Sequence, residues 1–133
     1  MIVAFPSPAA APSGKFQKAM EPEIKISVFE LTKTPTPEGR YSEEGYPAGD
    51  LIRKQINDNW EKYEKIIVSF DGIVQMSRVF VDEAFAKLLE DHALDEINKK
   101  IFFPDAREPT VKQLNTAFKL RLKILDSQKA REE

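Results

Sequence analysis

Between Ile66 and Leu89 the chain reads IIVSFDGIVQMSRVFVDEAFAKLL. It opens on a β-branched apolar run, Ile66-Ile67-Val68, and turns through Asp71-Gly72. It then carries apolar residues at Val81, Ala84, Phe85 and Leu88, near helical spacing. A short apolar run closed by turn residues reads as a buried strand, and the change of period after it reads as an amphipathic helix. A buried strand feeding a helix through a tight turn restricts the fold to one in which strands and helices share a core.

The neighbouring segments extend that pattern. Glu23 to Leu31 alternates, with Ile24, Ile26 and Val28 on one face and Lys25 and Ser27 on the other, so a half-buried strand is expected there. The run Lys33-Thr34-Pro35-Thr36-Pro37 ends it, because proline cannot donate to a strand ladder. A long polar connection follows from Thr32 to Tyr46, with a short strand over residues 40–42 as one reading; loops of this length are often functional. Pro47 to Tyr63 reads as a helix, with Leu51, Ile52, Ile56 and Trp60 near helical spacing and Asp50 favouring its positive end. The second main helix is expected over Phe80–Leu89, running on to Ala93. A third strand is expected at Ile101-Phe102-Phe103, closed by Pro104, and a long helix from Pro109 to about Ala130. Strands alternating with helices imply crossover connections and a mainly parallel sheet.

Composition narrows the chemistry. With 133 residues, 41% apolar and 32% charged, the chain fits one domain. A core drawn from about 100 residues is stable without disulfides or metal. There is no cysteine, which excludes thiolate catalysis and Cys-ligated zinc. One histidine, His92, argues against a His-based metal site or a Ser-His-Asp triad; it is placed at a helix end to cap carbonyls. A net charge of −2 with mixed signs lacks the basic excess of nucleic-acid binders. No apolar run approaches the ~18–20 residues that span a bilayer. Residues 1–20 read as a flexible Pro/Ala-rich extension and not a signal peptide, since the apolar start is short, unpreceded by a basic residue and stopped by Pro6. The domain is expected over 21–127, with a charged tail at 128–133 and a cytoplasmic location.

In this order, Gly39-Arg40, then Ala48-Gly49-Asp50-Leu51-Ile52-Arg53, then Ile67-Val68-Ser69-Phe70-Asp71-Gly72, then Phe80-Val81-Asp82-Glu83-Ala84-Phe85-Ala86-Lys87-Leu88 resemble the STAS-like domain family of unknown function. The resemblance spans about residues 23 to 125, and its most specific part is Phe-x-Asp-Glu-Ala-Phe-x-x-Leu. It implies a small α/β sandwich related to bacterial anti-sigma-factor antagonists, with a mainly parallel or mixed sheet and a long C-terminal helix. Those proteins bind a partner kinase or regulator through the strand-to-helix turn. A serine at that helix start is phosphorylated by the partner, which breaks the complex; a helix N-terminus suits the phosphate. Here the two usual serine positions hold Arg78 and Val79, so a switch at the usual position is impossible, and Ser77 is the nearest hydroxyl.

The expected function is therefore non-catalytic binding of a protein partner, a regulatory kinase, ATPase or defence component, through the turn and helix start. The contact residues are Gln75, Ser77, Arg78, Val79, Asp82 and Glu83, with Ser77 as the candidate phosphoacceptor and otherwise an N-cap. Arg78 and Asp82 set charge complementarity. No cofactor or metal is expected. Asp82-Glu83 as an acid/base pair is disfavoured, because adjacent helical residues do not face each other. One rival is a phage–bacterium conflict inhibitor. Another is a small-ligand or enzymatic site on the 32–46 loop, with Gly39, Arg40, Gly49, Arg53 and Asp71 around an anion. The simpler account of that loop is a glycine turn and two exposed arginines. Self-association through the C-terminal helix is the third. A deep polar pocket would favour the ligand; a flat or convex apolar patch near Arg78 would favour the binding module.

Overall fold

The computed structural model of the protein describes residues 20–43 and 46–132. The expected extension at 1–20 falls, apart from Met20, outside the described residues. Three parallel strands form one sheet in the order β1 (Glu21–Ser27), β2 (Tyr63–Ser69), β3 (Ile101–Phe102). The helices are α1 (Val28–Thr32), α2 (Gly49–Asn59), α3 (Arg78–Ala84), α4 (Leu94–Lys100) and α5 (Glu108–Glu132), with a 3-10 turn at Ala86–Glu90 after α3. The α/β class, the parallel sheet and the long C-terminal helix are as the pattern of the chain requires. No helix among the described residues is long and apolar enough to cross a membrane.

Register explains which strand residues face the helices. Ile24 pairs with Ile66 and Ile66 with Ile101, so one row of branched side chains crosses the sheet. Ile26 and Val68 form the next row on the same face. These residues join Ile52 and Ile56 of α2, Phe80 and Val81 of α3, Ile97 of α4 and Leu114 and Phe118 of α5 in one core. At the strands' C-terminal ends the rings of Phe70, Phe85 and Phe103 pack within 5.6–5.9 Å of one another, two contacts edge-on and one stacked. Phe85, Phe102, Phe103 and Phe118 are thus buried, as expected of core aromatics, while Trp60 packs on the core's edge.

Several local expectations change; the helix expected over Pro47–Tyr63 spans Gly49–Asn59, with Tyr63 opening β2, and β3 stops at Phe102. β1 ends at Ser27 instead of Leu31, because the Ser27 hydroxyl accepts from the Glu30 N–H at 3.1 Å and starts a helical turn. Lys33 closes that turn in the left-handed region, φ 61°, with its N–H on the Phe29 carbonyl. The helix from α3 does not continue to Ala93. Phe85 leaves helical geometry (φ −123°, ψ −54°) as its ring enters the aromatic cluster, and the chain tightens into the 3-10 turn. Finally, residues 40–42 form no strand. The Gly39 and Arg40 carbonyls instead accept the Gly49 and Asp50 N–H groups, and the loop keeps one isolated bridge, Glu43 with Tyr46.

His92, expected to cap helix carbonyls, is engaged by side chains instead. Its ring stacks on Trp60 with centroids 3.5 Å apart, and Nε2 is 2.8 Å from Asn57 Oδ1. Partial burial lowers its pKa from the ordinary 6.5; Asp91, Glu96 and Glu61 oppose the shift and Lys100 adds to it. Below 6.5 the unfolded chain therefore binds more protons, and stability falls as pH drops through the window from 6.5 to the folded value. Proton NMR of this single histidine should show a midpoint below 6.5, and Trp60 fluorescence should follow the same curve. A midpoint at or above 6.5 would show that the ring is not desolvated by the stack.

Candidate functional site

The motif residues that lie far apart in the chain meet on α3. Arg40, from the long loop, places Nη1 2.6 Å from Asp82 Oδ2 and 3.2 Å from Glu83 Oε1. Arg53, one turn into α2, donates to Glu83 Oε2 at 2.7 Å. Lys87 reaches Glu83 Oε1 at 3.1 Å from the next turn of chain. On the other side Arg121 of α5 clasps Asp82 with both Nε and Nη2, and its Nη1 lies 3.6 Å from Glu90. Gly49 is what lets α2 approach: a Cβ there would stand 2.9 Å from Glu83 Cβ and 2.9 Å from the Phe80 carbonyl.

The electrostatics follow from this packing. Burial works against the charge of Asp82, but hydrogen bonds from Arg121 and Arg40 outweigh it, and its carboxyl is held below the usual range. The bond to Asp82 raises the Arg40 guanidinium further, against a smaller desolvation cost. Glu83 is fully buried and neutralised by three cations. A buried carboxylate is tolerated only when paired and hydrogen-bonded in this way.

Several expectations are corrected here. Glu83 is not on a partner-facing surface; it lies under α2 and the long loop. Arg40 and Arg53 are not two exposed arginines, since each is bound to a carboxylate. Arg40 and Arg53 do converge on an anion, the chain's own Glu83, with Gly49 packed against it; Gly39 touches that group only through its carbonyl, which accepts the Gly49 N–H. Asp71 is not with them. It lies at the C-terminal end of β2 beside Asp105, whose carboxylate accepts from the Ser69 hydroxyl (2.7 Å) and the Phe70 N–H (2.9 Å). Asp105 carries no sequence signal of a site residue, and Arg121 reads only as part of the amphipathic run Lys119-Leu120-Arg121-Leu122-Lys123. Nothing local in that run marks a partner 39 residues away.

The turn ahead of α3 is different in kind. Ser77 caps α3: its Oγ accepts the Phe80 N–H at 3.0 Å and donates to the Glu38 carbonyl at 2.7 Å. The Val74 and Gln75 N–H groups both reach the Pro35 carbonyl, and the Ser77 N–H reaches that of Pro37. Gln113 of α5 donates to the Met76 carbonyl at 2.8 Å. The turn and the long loop are therefore one hydrogen-bonded surface. From it project Val74 (80% exposed), Val79 (43%), Gln75 and Arg78. Arg78 has no ion pair among the described residues.

Hollows flank this surface, one of them about 420 Å³ between Gly72, Val74 and Asp105. A cleft of about 940 Å³ lies along the long loop, beside the exposed Tyr41 and Tyr46. Several of its hydroxyls are committed internally: Thr32 Oγ1 to the Val28 carbonyl, Ser42 Oγ to Asp50. A smaller apolar groove of about 310 Å³ runs between α3 and α5 next to Arg78. No group of three or more metal-ligating side chains is gathered among the described residues.

A family model described as a STAS-like domain of unknown function (DUF4325) matches residues 48–110. No curated protein and no solved structure is significantly similar to the chain. The match is narrower than the expected span of 23–125 and excludes Gly39-Arg40, yet it contains Gly49, Arg53, Asp82 and Glu83. Over residues 48–110, from the start of α2 to the first turn of α5, the chain is similar to the STAS-like domain family of unknown function.

Proposed function

We propose that this chain is a non-catalytic interaction module that binds a partner regulator or enzyme through the turn over residues 72–79 and the start of α3. The observation that carries the proposal is the turn itself. It is fixed by hydrogen bonds from two sides and still presents Val74, Val79 and Arg78, which has no ion pair among the described residues, to solvent. A rigid surface with apolar contacts and one free charge binds with little ordering cost. Asp82 and Glu83 act behind that surface, holding α3 against the loop and α5. The Ser77 hydroxyl caps α3 and ties the turn to Glu38, so binding in this proposal is gated by surface complementarity and not by a phosphoserine. A cytoplasmic regulatory role of the anti-sigma-antagonist type belongs to the same proposal.

The cleft beside Tyr41 and Tyr46 favours a second reading, a small ligand held by the long loop. One experiment separates the two. A photo-crosslinking amino acid is placed in living cells at Val74, Val79, Tyr46 or the distant Lys99. A partner protein captured from positions 74 and 79 and not from 99, with a yield about tenfold lower in Arg78→Glu, is the expected result. Equal capture from all four positions, or none from 74 and 79, would overturn the interaction reading.

A further inference from the structure

The α3–α5 groove has a more definite chemistry than the turn beside it. Its floor is Val81, Ala117 and the side of Leu120, which is 49% exposed. Its volume of about 310 Å³ has room for one or two large side chains. Its walls do not move independently, because Arg121 ties α5 to Asp82 and Gln113 ties α5 to Met76.

The charges at the rim are lopsided. Arg78 stands on one lip, and Lys112 on the other is held only by the exposed Glu108 at 3.4 Å, a pair of a kind that contributes little. The one carboxylate in the lining, Asp82, is already clasped by Arg40 and Arg121. Its charge is offset before anything enters. The groove is thus locally cationic in a chain whose net charge is −2. A basic segment would meet repulsion from Arg78 and Lys112, and a neutral apolar one would leave both cations without partners at the edge of a closed contact.

We infer that the groove between α3 and α5 takes a short acidic amphipathic segment of the partner protein, with one or two large apolar side chains on Val81, Ala117 and Leu120 and carboxylates at Arg78 and Lys112. The inference rests on the interaction reading above and names the partner's chemistry. Two cations around a small apolar hollow are too few for a nucleic-acid backbone, which needs many phosphate contacts.

The test uses the full chain as bait for a displayed library of random 12-residue peptides, followed by NMR mapping of the enriched peptides. Enrichment of Asp and Glu flanking Leu, Phe or Trp is expected, with amide shifts at Val81, Thr116 and Leu120. The double variant Arg78→Glu with Lys112→Glu should weaken those peptides at least about tenfold and, when used as bait, lose the acidic bias. Thr116→Trp, on the exposed side of α5, should plug the groove and abolish binding without touching a charge. Peptides that map to the groove but carry no acidic bias would overturn the inference and leave the interaction reading standing. Peptides that map to the 32–46 cleft, or no enrichment, would overturn both.

Discussion

Glu83→Ala is expected to destabilise the fold by about 3 kcal/mol, the low end of the range for stripping one partner from a buried ionic cluster. The side chain is fully buried, and Arg40, Arg53 and Lys87 would be left facing one another across a cavity. The estimate sits at the low end because Arg40 and Arg53 are 32% and 25% exposed and can swing partly into water. Glu83→Gln keeps the shape and an acceptor oxygen and should cost about half as much. Urea denaturation measures both. An unfolding free energy for Glu83→Ala within about 0.5 kcal/mol of the parent protein would mean that the cluster contributes nothing net. Because three elements converge on this carboxylate, the start of α2 should also lose hydrogen-exchange protection at Gly49 and Asp50, whose N–H groups bond to the Gly39 and Arg40 carbonyls of the long loop.

Gly49→Val is expected to cost 2–3 kcal/mol, about 10 °C in melting temperature for a domain of this size. Of the three atoms a Cβ would meet, two are backbone: the Phe80 carbonyl oxygen at 2.9 Å and the Ala84 nitrogen at 3.2 Å. Backbone cannot rotate aside, so α2 would have to lift from α3 and loosen the hold of Arg53 on Glu83. Gly39 is the control. A Cβ there meets only the Ala48 methyl, at an ordinary 3.4 Å, so Gly39→Ala should melt within about 2 °C of the parent. Equal losses at both positions would show that loop flexibility, and not helix approach, is what glycine supplies.

These two predictions bear on function through α3. Asp82 and Glu83, read along the chain as surface charges, are the inner fixings of the helix whose outer side carries Arg78 and Val79. An interaction surface of this kind needs such fixings, because a short helix that frayed would impose an ordering cost on binding. The cluster is thus a reason for the surface to be rigid, and variants in it should weaken a partner indirectly. Arg78→Glu should act on binding alone, with stability unchanged.

The order of strands and helices was legible in the chain because it depends on local patterns. Alternation marked β1, the β-branched run marked β2, Pro109-Thr110 marked the start of α5, and the serine before α3 marked its cap. Each is a relation among residues a few positions apart. Where the pattern misled, a contact from elsewhere decided. Phe85 has a helical place in the sequence, yet it breaks the helix where its ring meets Phe70 and Phe103. Val28 alternates with Ile26, but the Ser27 hydroxyl turns the chain into a helix one residue earlier. The site divides along the same line. That Arg40 and Arg53 share an anion was one reading open from their types and order, with Asp71 included in it, beside the simpler one of two exposed arginines. That the anion they hold is Glu83, that Arg121 reaches Asp82 from α5, and that Asp71 stands apart with Asp105 could not be read there. Those pairings join residues 30 to 43 positions apart, and a charged side chain looks the same in a sequence whether it faces water or its opposite. Secondary structure is specified by neighbours along the chain; the fate of a charge is specified by what folding brings against it, which is why only the tertiary structure separated the inner carboxylates from the outward arginine.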